Sequence, residues 1–130
     1  MTNIAAHMDS DIFSALNIML DLETLSTNTN AVILSIGMAA FTIEKGIFDT
    51  FYVNLDIDNQ ITNGGHISAD TLIWWMKQTD DARKIFGEKK VSPYDAVTLI
   101  KRWFFKLMEE QQFHGMQIWG NGADHRRQAG

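Results

Sequence analysis

The sequence predicts an α/β domain: three strands with antiparallel hairpin character, a helical stretch, and a fourth strand returned parallel to the first. Three observations predict it. Apolar runs of strand length crowd residues 16–57, cap-and-stripe patterns of helices fill residues 68–108, and a short apolar run at Met116 to Trp119 closes the series. A connection of that length containing a long helix is what a parallel return needs. With 130 residues and 45% hydrophobic content, the chain is one folded domain, though short for a complete α/β enzyme.

The elements follow in order. Residues 1–15 mix polar and apolar types without a period and are expected to form a loosely ordered extension, leaving 16–130 as the domain. Strand one runs from about Leu16 to Leu22, and Ser26-Thr27-Asn28-Thr29-Asn30 is a polar turn. Ala31 to Ile43 is almost continuously apolar, as in a central strand covered on both faces. Glu44-Lys45-Gly46 makes a hairpin turn into Ile47 to Ile57, whose odd positions are apolar except Asp49. Ser68 caps a short helix through Lys77, with Asp70 in its first turn. Thr79-Asp80-Asp81 starts another, which Gly87 ends. The best-specified helix opens at Ser92-Pro93-Tyr94-Asp95 and carries Ala96, Val97, Ile100, Trp103, Phe104, Leu107 and Met108 on one stripe. Trp103 and Phe104 are read as core.

The chemistry concentrates at Asp21-Leu22-Glu23-Thr24, where strand one ends. Alternation puts Asp21 and Glu23 on one face and Ile18, Leu20 and Leu22 on the other. Two carboxylates side by side at the end of a buried strand repel each other and resist desolvation. A bound Mg2+ or Mn2+ resolves both problems, because hard divalent ions prefer carboxylate oxygens. The alternative, two solvated acids at a strand end, stays open on these residues alone. Asp56-Ile57-Asp58-Asn59-Gln60 is not a calcium loop, since Ile61 and Ile67 stand where Gly and Glu are needed.

Composition excludes other classes. With no cysteines there is no disulfide scaffold, thiolate zinc site or cysteine nucleophile. No apolar run reaches membrane-spanning length and the first residues lack a secretory pattern, so the chain is expected to be cytoplasmic, with no membrane partner. The net charge of −5 does not advertise a nucleic-acid binder, but bound cations offset the acids of a nuclease site. Lys89-Lys90 and Lys101-Arg102 are read as solvated surface charge.

Four blocks in order carry a resemblance: Ile18 to Thr24, Ala31 to Gly37, Ile73-Trp74-Trp75-Met76-Lys77-Gln78, and Trp119-Gly120-Asn121-Gly122-Ala123. On these the chain resembles the phage and prophage 3′-5′ exonucleases of the DnaQ-like (DEDD), ribonuclease H-fold superfamily, nearest to the exodeoxyribonuclease VIII-like proteins and the related exoribonuclease domain family. The resemblance implies a ribonuclease H-like mixed sheet and a two-metal hydrolysis of phosphodiester bonds of DNA or RNA. Asp21 matches the first family acid and would bridge both ions, and Glu23 matches its partner. Thr24 and Leu25 would line the pocket of the terminal nucleotide. Trp74-Trp75 also matches, with packing between helix and sheet as its first reading.

The pattern then departs. After Gly122 the family continues with a small residue, a variable residue, Phe-Asp-Asn and an apolar helix, whereas here the chain reads Ala123-Asp124-His125-Arg126-Arg127-Gln128-Ala129-Gly130. Arg126 stands at the third acid, Asp124 is two places early as a substitute metal ligand, and none of the four histidines matches the catalytic one. The expectation is a domain missing its C-terminal part, by truncation or a shifted frame in a prophage gene. Its exonuclease activity would be impaired or lost, and exposed apolar surface would invite self-association. A non-catalytic remnant that binds nucleic acid or protein, and a fragment without function, are the other readings.

Overall fold

The structure, a computed structural model, describes residues 15–111 and 115–120. The predicted N-terminal extension and the segment holding Asp124 and Arg126 lie outside them, apart from Ala15. Strands β1 (Leu16–Thr24), β2 (Ile33–Thr42) and β3 (Gly46–Asn54) are followed by helices α1 (Ile57–Thr62), α2 (Ala69–Met76) and α3 (Asp80–Arg83). A 3-10 turn (Lys84–Gly87), the long helix α4 (Pro93–Gln111) and strand β4 (Met116–Gly120) complete the order. The sheet runs β3-β2-β1-β4, with β1–β2 and β2–β3 antiparallel and β1–β4 parallel. This is the α/β arrangement predicted for a ribonuclease H-like sheet, three antiparallel strands and a parallel fourth.

The main core lies between one face of the sheet and α4. Leu16 and Ile18 of β1 are 0% exposed and pack with Met38 and Ala40 of β2 against Trp103 and Leu107. The helix forms where its signals predict: Ser92 Oγ accepts from Asp95 N at 3.1 Å, and Pro93, with no amide proton to leave unpaired, begins it. Asp49, the polar exception in the alternation of β3, has a definite partner. Its Oδ2 accepts the indole N–H of Trp103 at 3.2 Å, so the buried tryptophan keeps a hydrogen bond while its ring packs on Phe51 at 5.5 Å.

Three expectations for β2 and β3 are corrected. The register shifts between Ala40 and Phe41, which pair with Asp49 and Ile47 and leave Phe48 as an extra residue. Phe48 therefore packs against the main core and Ile47 is left 66% exposed. The third strand ends at Asn54, short of Ile57, because Asp56 caps α1 through its side chain, which accepts from Asp58 N at 2.9 Å. Nor is β2 sealed on both faces: the face away from α4 holds Gly37 and Ala39 half-buried. On that face Met19, Tyr52 and Trp119 are all more than 40% exposed, at 43%, 60% and 47%. Among the described residues no helix is long and apolar enough to cross a membrane.

Helix α1 stands in for a strand at the start of β2. Gln60 Oε1 accepts from Ile33 N and its Nε2 donates to Ile33 O, each at 2.8 Å, as a ladder neighbour would. Beside it, Gly65 N donates to Gln60 O at 2.7 Å, and a Cβ at position 65 would lie 2.8 Å from both Gln60 O and Val32 Cγ2. Two stability measurements check this packing. Leu107→Ala is expected to lower unfolding free energy by about 2–5 kcal/mol in urea denaturation, the range for a large-to-small change at a closed core site. Gly65→Ala should lower it by about 1–3 kcal/mol through overpacking, although the position is far from that core.

Candidate active site at the end of β1

The alternation of β1 decides which side chains reach the open face. Leu16, Ile18 and Leu20 pack toward α4, so Met19, Asp21 and Glu23 stand on the other side, with Asp21 exposed and Glu23 half-buried. Cross-strand pairing extends the face into rows. Asp21 pairs with Gly37, which pairs with Tyr52, and Glu23 pairs with Ser35, which pairs with Asn54. The predicted carboxylate pair therefore shares one face, beside an aromatic side chain from β3.

The end of β1 is held from several directions. The register against β2 shifts between Glu23 and Thr24, an irregularity of the kind that re-aims side chains beside sites. Thr24 Oγ1 donates to Ser26 O at 2.8 Å, and Thr24 O accepts the indole N–H of Trp75 at 3.3 Å. Leu25 is 3% exposed and packs with Val32, Leu34 and Trp75. Trp75, as its first reading expected, is packing between helix and sheet, stacked edge-on to Trp74 at 5.0 Å and to Phe86 at 5.3 Å. Ser26, 2% exposed, shares a 2.5 Å hydrogen bond with His66 Nδ1 and accepts from Asn28 N, which braces the β1–β2 loop.

An open cleft of about 560 Å3 lies between this face and the helices. Glu23 and Tyr52 line it on the sheet side, Trp74 and Trp75 from α2 with Gln78 just beyond its end, and Lys84 and Ile85 from the 3-10 turn. Helix α2 is positioned by its predicted cap, Ser68 Oγ accepting from Thr71 N at 3.1 Å, and α3 by Thr79 Oγ1 accepting from Ala82 N at 3.2 Å. The lining carboxylates of Glu23, Asp81 and Glu88 outnumber the Lys84 ammonium, which pairs with Asp81 at 3.1 Å on an exposed surface where such pairs contribute little.

The donor set suits a hard cation. Among the described residues no group of three or more His, Asp or Glu side chains is placed to hold a metal ion. Asp21 and Glu23 still meet the usual protein share for Mg2+, which takes one or two carboxylates and fills its sphere with water and phosphate oxygens. His66 is engaged with Ser26; His7, His114 and His125, like Asp124, lie outside the described residues. Tyr52 and Gly37 join the site only through strand pairing. A lone glycine inside an apolar strand run is the one mark of this in the sequence.

The family model for the 3′-5′ exoribonuclease Rv2179c-like domain matches residues 16–127. The chain belongs to this family. The match to the Rv2179c-like exoribonuclease domain takes in all four strands, and with them both carboxylates and every residue named on the cleft wall. No curated protein and no solved structure matches the chain.

The brace behind the site makes a prediction of its own. Trp75→Phe keeps most of the buried ring but removes the donor to Thr24 O, and should lower stability by about 0.5–1.5 kcal/mol in thermal or urea unfolding. Trp75→Ala opens a cavity as well and should lower it by about 3–5 kcal/mol.

Proposed function

We propose that this domain hydrolyses phosphodiester bonds from the 3′ end of a single nucleic-acid strand, with Asp21 and Glu23 holding Mg2+ or Mn2+. The observation that carries the reading is the placement of both carboxylates on one face of β1, with Glu23 lining a cleft, in a chain of an exoribonuclease-like family. That family description favours RNA over DNA.

Each residue has a role that follows from its surroundings. Asp21 is the more exposed acid and presents its oxygens to solvent and to an incoming phosphate. Glu23, half-buried on the cleft wall, holds a second pair of oxygens in a less hydrated setting, where attraction to a cation is stronger. The bound ion would supply Lewis-acid stabilisation of phosphoryl charge and a more acidic attacking water. Thr24, tied to Ser26 and Trp75, borders the terminal nucleotide, and the buried Leu25 shapes that pocket from behind. The brace keeps both carboxylates in place without reorganisation when substrate arrives.

Turnover is expected to be slow. The end of β1 provides two carboxylates, and the sequence has Arg126 where the family pattern carries another acid. In Mn2+, a 5′-labelled RNA strand should shorten from its 3′ end as a ladder, faster than the DNA strand of the same sequence. EDTA and Asp21→Ala should each reduce the rate about a hundredfold or more, the equivalent of several kcal/mol of lost charge stabilisation. A ladder unchanged in Asp21→Ala would rule out the proposed site. No ladder from folded protein, with salt-sensitive and metal-independent binding of the strand, would assign the cleft to binding alone.

A further inference from the structure

We propose that Gly37 and Tyr52 form the seat of the 3′-terminal nucleotide, with Gly37 as its open floor and the Tyr52 ring as the surface on which the base stacks. This rests on the reading of Asp21 as the reacting end of the site, and adds to it the residues that hold the substrate.

Gly37 lies between Asp21 and Tyr52, paired to one across β1 and to the other across β3. Nothing in its backbone asks for glycine. Among the described glycines the positive φ values belong to Gly46 and Gly64, and a Cβ at position 37 would meet Tyr52 Cδ2 at 3.7 Å and Asp21 O at 3.8 Å, both ordinary contacts. Glycine inside a strand is unfavourable, since it loses more backbone freedom and brings no side chain to pack. What it provides here is space. Any side chain longer than a methyl group would rise from the sheet between the Asp21 carboxylate and the tyrosine ring, which is where a ligand bridging the two must lie.

Tyr52 has the properties of a binding surface. It is 60% exposed, yet it is tethered. Its hydroxyl donates to Asn54 Oδ1 at 2.9 Å, and Asn54 is itself only 7% exposed, so the ring is anchored to a fixed partner. The ring borders the same cleft as Glu23 and Trp74. An anchored aromatic face stacks on any base and loses little freedom in doing so, which suits an enzyme that must accept each base in turn.

The test is fluorescence anisotropy of a 5′-fluorescein-labelled single-stranded oligoadenylate in EDTA, where no metal-dependent hydrolysis occurs, with melting temperatures measured in parallel. Tyr52→Ala should weaken binding roughly tenfold and Tyr52→Phe by much less, because the ring face makes the contact and the hydroxyl only tethers it. Gly37→Val should also weaken binding roughly tenfold while its melting temperature stays level or rises, since valine favours a strand more than glycine does. A purely structural glycine would show the reverse. Should Gly37→Val fail to fold, the two variants of the exposed Tyr52 decide the matter. The inference is overturned if the unmodified chain does not bind, if Tyr52→Ala binds normally, or if Tyr52→Phe falls as far as Tyr52→Ala. The Mn2+ ladder reports separately on Asp21. A ladder with unchanged binding in these variants ends this inference alone, and binding lost in the variants without any ladder ends the hydrolysis reading alone.

Discussion

The two-residue alternation of β1 is the constraint on which the rest depends. Leu16 and Ile18 are wholly buried under α4, and Asp21 and Glu23 stand on the opposite side of the same strand. A slip of one residue against either neighbour would exchange these sets. It would expose the aliphatic side chains and press two carboxylates beneath a tryptophan, at a desolvation penalty of several kcal/mol for each ion. The strand is pinned by β2 on one edge and β4 on the other, so the register that builds the core is also the register that puts both carboxylates on the open face.

The two faces of the sheet accordingly divide the tasks. The α4 face is aliphatic and aromatic, with its polar exceptions paired, as in the Asp49–Trp103 hydrogen bond. The other face is open at its centre and bounded by the segment from α2 to the 3-10 turn. Trp75 ties α2 to the sheet, since one side chain packs with Leu25, Val32 and Leu34 and holds the main chain immediately after Glu23. The main chain beside the carboxylates is therefore anchored, while Asp21 itself stands exposed.

Much of this was legible in the chain. The shared face of Asp21 and Glu23 follows from strand geometry, the caps Ser68, Thr79 and Ser92 all act as their residue types suggest, and the helical connection is long enough to allow the parallel fourth strand. What was not legible arises from pairing. Phe48 becomes the extra residue of a bulge only against Phe41, which is why Ile47 is displaced outward despite its place in the alternation. Helix α1 hid behind Leu55 and Ile57, whose spacing continues the strand pattern across a cap that only the Asp56 side chain reveals. Tyr52 and Gly37 share a row with Asp21 through neighbours about 15 to 30 residues away, and no local pattern records that.

The hydrogen bond from the Trp119 indole to Asn17 Oδ1 joins residues 102 positions apart. Its consequence lies in the order of events during synthesis. The first strand leaves the ribosome early and can pair with the second within moments, but its other edge has no partner until the segment beginning at Met116 emerges. At a translation rate of about 5–20 residues per second, that interval lasts roughly 5–20 s. Contacts of such long range are also slow to form once the chain is free. The nascent domain thus carries an open strand edge, with Met19 beside it, until that last segment is made. Its yield in the cell depends on how well that edge is shielded before the last strand arrives.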